Sequence, residues 1–268
     1  MRLMFDDAEP FFRREGELIV PSVHARGPWK SGTLHGRVVA GLLAAEIENR
    51  HGDADFMPAR LTVDMHSSPG MAPLELRTSV ARDGRRIRLV DAELVCEGRS
   101  VARASCQFLR RTDDPGGHRW HGETSALPPP ESLPHVAPGP ESMNGQWELR
   151  WITGGIGTAS QKSAWMREVR PMIGGEGLTP FQRVMAGADY VSPMVNFGEG
   201  RGHGYINSDL TVYLARLPVG EWIGYEALAQ EERDGVAIGH CNLYDIAGRI
   251  GWGSVCALAQ VYRATAAP

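Results

Sequence analysis

Arg82-Asp83-Gly84 opens a run of strand-forming residues that continues through Leu94 and Arg99 to Ala104-Ser105-Cys106-Gln107. Arg233-Asp234-Gly235 opens a second run, through Leu243 and Arg249 to Ser254-Val255-Cys256-Ala257. Upstream, Leu61-Thr62-Val63 is answered by Leu210-Thr211-Val212. The matches share an offset of roughly 150 residues, a period far too long for a solenoid. The pattern predicts a duplicated domain whose halves pack as a pseudo-dimer with a site between them.

The chain has 268 residues, enough for two domains each with its own core. Hydrophobic residues make up 42% and charged residues 22%, the balance of an ordinary globular protein. A net charge of −4 argues against a nucleic-acid-binding face, which would be basic. No apolar run is long enough for a membrane span, and the acids Asp6 and Asp7 stand where a signal peptide needs an apolar core. A cytoplasmic location follows by default. The four cysteines, 96, 106, 241 and 256, form no CxxC pair and fall in predicted strands, so they read as buried free thiols; no metal site can be assembled from them.

Around the repeated runs the sequence predicts one order of elements twice. Residues 17–23 read as a short strand. An amphipathic helix follows from His35 to Asn49, with apolar residues at 38, 39, 42, 43 and 47. Strands are expected at 60–67, 73–82, 86–97 and 99–111, with hairpin turns at Asp83-Gly84 and Glu97-Gly98. In the second half, extended segments at 147–151 and 164–169 precede a helix from Phe181 to Tyr190, started by a Thr179 N-cap and Pro180 at the first position. Strands at 203–215, 221–232, 236–245 and 249–263 complete it. Between the halves, Pro128-Pro129-Pro130, Pro134, Pro138 and Pro140 mark a linker. The expected organisation is an N-terminal domain over 1–112, the linker over 113–145 and a C-terminal domain over 146–268.

Several phrases resemble the double-hotdog acyl-CoA thioesterases, the type II enzymes and their thioesterase-like relatives. In the first half these are Trp29 with Leu34-His35-Gly36-Arg37-Val38, then Arg82-Asp83-Gly84-Arg85. In the second they are Gly175-Glu176, Thr179-Pro180-Phe181-Gln182-Arg183, Ala188-Asp189-Tyr190, Tyr205 to Leu210, Arg216 to Trp222, Leu243-Tyr244-Asp245 and Gly248-Arg249. The resemblance covers nearly the whole chain outside the linker. It implies an α+β fold, a double hotdog with two antiparallel sheets each wrapping a central helix, packed as an intramolecular pseudo-dimer. It also implies a cofactor-free hydrolase that cleaves an acyl-CoA thioester with water; a homodimer or larger assembly is expected as well.

Such hydrolysis needs a positioned water and donors for the developing oxyanion. The resemblance implies that Asp189 orients the water. Asn207, at the start of a strand, occupies a position where relatives carry Thr or Asn facing the acid; it also reads as a turn residue. Asp209, two residues on, is a supporting candidate on the same side of a regular strand. The backbone N–H groups of His35 and Gly36 suit a thioester carbonyl. The family's third residue, a glutamine on the last strand, is replaced here by Ala257. Gln107 takes that place in the first half, where Ala40 stands for Asp189. Arg37, Arg60, Arg183, Arg201 and Arg216 are a pool of contacts for the CoA phosphates. The departure at Ala257 keeps a second class open, a double hotdog that binds an acyl thioester or another apolar ligand with weak or no turnover. A hydratase on the same fold would want a His–Asp pair, and no histidine adjoins Asp189 in sequence.

Overall fold

The computed structural model describes residues 8–28, 32–120, 122, 124–135, 147–199 and 204–260. Trp29, Arg201, Pro138, Pro140 and the last residues of the 249–263 strand lie outside them. The first half contains β1 (Phe12–Glu15), β2 (Leu18–Pro21), α1 (Gly36–His51), β3 (Phe56–Met65), β4 (Leu74–Asp83), β5 (Ile87–Cys96) and β6 (Arg99–Arg110). The second contains β7 (Trp147–Thr153), β8 (Ser163–Glu168), α2 (Pro180–Gly187), α3 (Val191–Asn196), β9 (Tyr205–Asn207), β10 (Asp209–Leu214), β11 (Ile223–Arg233), β12 (Val236–Asp245) and β13 (Gly248–Ala259).

The strand order is β1-β2-β4-β5-β6-β3-β10-β13-β12-β11-β8-β7, with β9 added to β13. Read inward from either end, the two halves have the same order, so the duplication in the sequence is a duplication of topology. Among the described residues the sheets of the two halves join edge to edge through β3 and β10 and run on as one antiparallel sheet of 13 strands. The reason lies in the repeated triplet. Thr62 pairs with Thr211, Leu61 with Val212 and Val63 with Leu210, so each copy of the motif is the other's partner about a pseudo-two-fold axis. The Thr211 hydroxyl donates to the Thr62 oxygen at 3.1 Å across that axis. Pairing satisfies main-chain groups that two open edges would leave unpaired.

The sheet curves around the helices, with α1 against β3 to β6 and α3 against β11 to β13, which is the double-hotdog arrangement. Helix α1 was expected to be amphipathic, yet every residue from Arg37 to Ile47 is buried. Sheet covers one side and α2 the other. At Gly41 an added Cβ would lie 3.1 Å from the Ala186 Cα, so the small residues of α1 let the helices approach closely. One continuous apolar core, including Leu42, Val90, Val184 and Leu243, runs through both halves.

The Thr179 cap forms as expected and is completed by Gln182, whose side chain returns to the Thr179 N–H in a capping box. The predicted second helix does not run straight to Tyr190: it tightens into a 3-10 turn at Ala188–Tyr190 and resumes as α3. The two Arg-Asp-Gly triplets also differ. Asp234 and Gly235 both have positive φ, 51° and 81°, as a two-residue type I′ hairpin requires, whereas Gly84 does not and its N–H donates to Ile87 O across a wider turn. Between β6 and β7, the described residues of the Pro-rich segment lie on the second half: Leu127 and Leu133 pack on Trp165, Trp222 and Tyr244, and the Trp165 indole N–H donates to Pro128 O at 2.9 Å. Cys96, Cys106 and Cys241 are buried, but Cys256 is exposed, a correction to the reading of all four as interior.

Candidate active site

The break between α2 and α3 puts Asp189 on a short turn against the start of α1, from the other half of the chain. A carboxylate at a helix C-terminus gains nothing from its own helix dipole, but here it faces the N-terminus of α1. Gly36 makes the approach possible, because a Cβ there would lie 2.8 Å from Asp189 Oδ2. The side chain is buried rather than solvated, and burial pushes its carboxyl above the ordinary aspartate value. The Asn207 amide and the Arg37 main-chain N–H act in the opposite direction.

Asn207 ends β9 and donates from Nδ2 to Asp189 Oδ1 at 2.9 Å and to the Asp209 main-chain oxygen at 3.3 Å. Asp209 itself does not face the site. Ser208 interrupts the strand between β9 and β10, so the two-residue parity expected of a regular strand fails, and the Asp209 carboxylate instead accepts from the Cys256 N–H of β13. Gln107 is likewise elsewhere: it lies on β6, paired with Arg60 and Leu89, inside the first half. Ala257 is directly opposite Asn207 in the β9–β13 register, so a residue without a polar side chain stands across from the amide.

His35 is the N-cap of α1, and its Nδ1 accepts from the Arg37 N–H at 3.2 Å. Burial and then the Arg37 charge lower its pKa to about 3, so the ring is neutral near pH 7. With Nδ1 as acceptor, the network assigns the proton to Nε2. Nδ1 also lies 3.5 Å from Asp189 Oδ2. No histidine adjoins Asp189 along the chain because this neighbour comes from the opposite half.

These residues meet in a cavity of about 510 Å³ between the halves, where Asp189, Asn207, His35 and Gly36 share the wall with Leu34, Met65, Trp147, Tyr190, Phe197 and Leu258. Beneath it is a feature with no local signal in the sequence. Arg37, expected among contacts for CoA phosphate, points inward and pairs with buried Glu168 while stacking over Trp147 and Phe11. Arg216 is similarly engaged, by Asp245, and Arg183 by Glu221. Among the described residues no group of three or more His, Cys, Asp or Glu is placed to hold a metal, and no helix is long and apolar enough to cross a membrane.

The other helix N-terminus is arranged differently. Counted from the first residue of each helix, the position matching Asp189 is Ala45, not Ala40, because the second half carries extra residues between helix and strand. At α2, Glu48 accepts from the Thr179 hydroxyl, and Gln182 donates to Asn49 at 3.4 Å. The pseudo-symmetric position is therefore closed by side-chain bonds.

Comparison with known proteins agrees with this architecture. The family model for the acyl-CoA thioesterase N-terminal domain matches residues 25–113, and that for the acyl-CoA thioesterase C-terminal domain matches residues 118–251. Among solved structures, a hot dog-fold protein of unknown function from Alicyclobacillus acidocaldarius is 17% identical with a TM-score of 0.74, covering 93% of this chain and 96% of that one. An acyl-CoA thioesterase II from Mycobacterium marinum is 18% identical with a TM-score of 0.63, covering 93% and 95%. The tesB protein of Mycobacterium avium subsp. paratuberculosis is 14% identical with a TM-score of 0.65, covering 93% and 96%. No curated protein matches the chain by sequence. With both domain models matched in order, and the fold shared end to end with these structures, the chain belongs to the acyl-CoA thioesterase family.

Proposed function

We propose that the protein hydrolyses an acyl-CoA thioester to the free acid and CoA, using a water held by Asp189 and Asn207. The observation that carries this reading is the 2.9 Å bond from Asn207 Nδ2 to Asp189 Oδ1 inside a cavity at a helix N-terminus. The bond fixes one carboxylate oxygen and leaves Oδ2 to accept a water proton. As the water oxygen attacks the thioester carbon, Asp189 takes that proton. Negative charge grows on the carbonyl oxygen, and the Gly36 N–H and the His35 Nε2–H are the donors available to it. Collapse of the adduct breaks the C–S bond and returns the proton to the departing thiolate. His35 supplies a donor rather than a base, since its Nδ1 is occupied by the Arg37 N–H; this disfavours a hydratase.

A second reading is favoured by one observation: Ala257 faces Asn207 where the family carries glutamine. In that reading the cavity binds the acyl thioester without turning it over. Release of free thiol from acyl-CoAs of graded chain length separates the two. Turnover that disappears in Asp189→Ala supports hydrolysis; saturable binding with no thiol release establishes the binding reading instead.

A further inference from the structure

The ion pair beneath the catalytic cavity crosses the same boundary between the halves as the site itself. Arg37 belongs to α1 and Glu168 to β8, and their side chains are 3% and 1% exposed. One nitrogen meets one oxygen: among the described residues, Arg37 Nη2 and Glu168 Oε2 have no hydrogen-bond partner. A buried pair joined through single atoms is a poor source of stability. Desolvation of the two charges offsets their attraction, and a well-packed apolar replacement is often neutral or better. What the pair touches gives it another use. The guanidinium lies 4.4 Å over Trp147 and 4.8 Å over Phe11. Trp147 stands directly across from Glu168 in the β7–β8 register, and the Phe11 N–H donates to Pro171 O at 3.0 Å, just beyond β8. Trp147 also sets its edge against the His35 ring, with centroids 6.1 Å apart and planes at 85°. At its other end, Arg37 reaches the site through its main chain, whose N–H donates to His35 Nδ1 at 3.2 Å and to the Asp189 carboxylate. The residue is 2% exposed, so its stem is packed along its length between these two anchors.

We propose, resting on the hydrolytic reading above, that Glu168 is a positioning residue for the reaction. By holding Arg37 against β8 it fixes the start of α1, and with it the N–H shared by Asp189 and His35 and the Gly36 N–H offered to the oxyanion. Glu168 touches neither the water nor the thioester; it acts through Arg37. Such a device suits a site assembled from two halves, because the helix that carries the donors and the turn that carries the acid have no short covalent connection. Charge adds to geometry. Asp189 is faced by Arg37 and His35 from α1 and by Asn207 from β9. Of these, His35 is neutral near pH 7, and the Arg37 charge favours the ionised carboxylate against the effect of burial.

The test is Arg37→Met/Glu168→Leu in the full chain, compared with wild type by thermal melting, thiol release from an acyl-CoA across pH, and 15N spectra of the His35 ring. If the pair were only a brace, the apolar substitutes would replace it without loss. The positioning role predicts a melt close to wild type but kcat lower by about tenfold or more, with KM little changed. The midpoint of kcat against pH should also move upward, since the charge that favours ionised Asp189 is gone. Wild-type kcat and midpoint in the double variant overturn the proposal. If that variant does not fold, Glu168→Gln is measured instead, and wild-type kcat with unchanged His35 signals overturns the proposal in the same way. The ring spectra separate this inference from the hydrolytic reading. In wild type the Arg37 N–H holds His35 as the Nε2–H tautomer, and in the variant a mixture of tautomers is expected. Wild-type protein that releases no thiol refutes hydrolysis. Unchanged ring signals in the variant would then overturn positioning as well, whereas an altered tautomer upholds it for a binding site.

Discussion

Gly36→Ala separates the catalytic geometry from the fold. An added Cβ would lie 2.8 Å from Asp189 Oδ2 and 3.2 Å from both Cγ and Oδ1, whereas ordinary contact begins at 3.4 Å. The carboxylate must therefore retreat by about 0.6 Å, which stretches its 2.9 Å bond from Asn207. A misplacement of about 1 Å in a reacting group costs about 100-fold in rate, so the expected loss in kcat is about 10- to 100-fold. Stability should hardly change. Gly36 has no positive φ, and Ala is the better helix former, so Tm should stay within about 3 °C of wild type. Thiol release from an acyl-CoA under saturating substrate gives kcat, and thermal melting gives the control. A variant with wild-type kcat and an unchanged melt would show that the placement of Asp189 against α1 is irrelevant to turnover.

Further outcomes follow from the same geometry. Asp189→Asn should lower kcat by about 100- to 10,000-fold, the range for loss of a general base, and wild-type kcat should rise with pH through a midpoint above 3.8, the ordinary aspartate value; a midpoint at or below that value contradicts the burial argument. The raised pKa also means that the folded state binds this proton more tightly than the unfolded chain, so ionisation destabilises the fold as pH rises through the folded pKa. Asp189→Asn should accordingly raise Tm more at pH 8 than at pH 4, and an equal gain at both would count against the shift. Asn207→Ala should reduce kcat about tenfold or more, since it frees the fixed carboxylate oxygen, and a KM effect alone would move Asn207 from catalysis to binding. Arg37→Met should cost about 3–5 kcal/mol in urea unfolding by leaving Glu168 buried without its partner, with much of that recovered in Arg37→Met/Glu168→Leu; a single variant as stable as wild type would show that the pair is not coupled.

Local chemistry was the legible part of this fold. Thr179 and Pro180 marked a helix start because cap and ring act within one turn, and Asp234-Gly235 marked a hairpin because both residues accept positive φ. The Leu-Thr-Val triplets revealed the duplication, although not that each pairs with the other, since pairing across the axis is a long-range property. Irregularities were hidden. Nothing in Asn207-Ser208-Asp209 signals that Ser208 breaks the strand and turns Asp209 away, and the helix break at Ala188–Tyr190 depends on how α3 seats against the sheet. The neighbours of Asp189 were only half readable. Asn207 lies close in sequence, whereas His35 and Gly36 come from the other half of the chain, and the burial of Arg37 depends on Glu168 and Trp147, which belong to the half opposite Arg37.

The Thr62–Thr211 seam has an evolutionary consequence. Two separate copies of one subunit would meet with identical residues on each side, so any change at one mouth would be imposed on the other. Covalent fusion removes that obligation. Asp189 can face one helix while Glu48 seals the opposite one, and the sealed end is free to serve as a brace. Diversification in such a chain should therefore be lopsided, with substitutions accumulating around Thr179 and Glu48 that would disable the end containing Gly36.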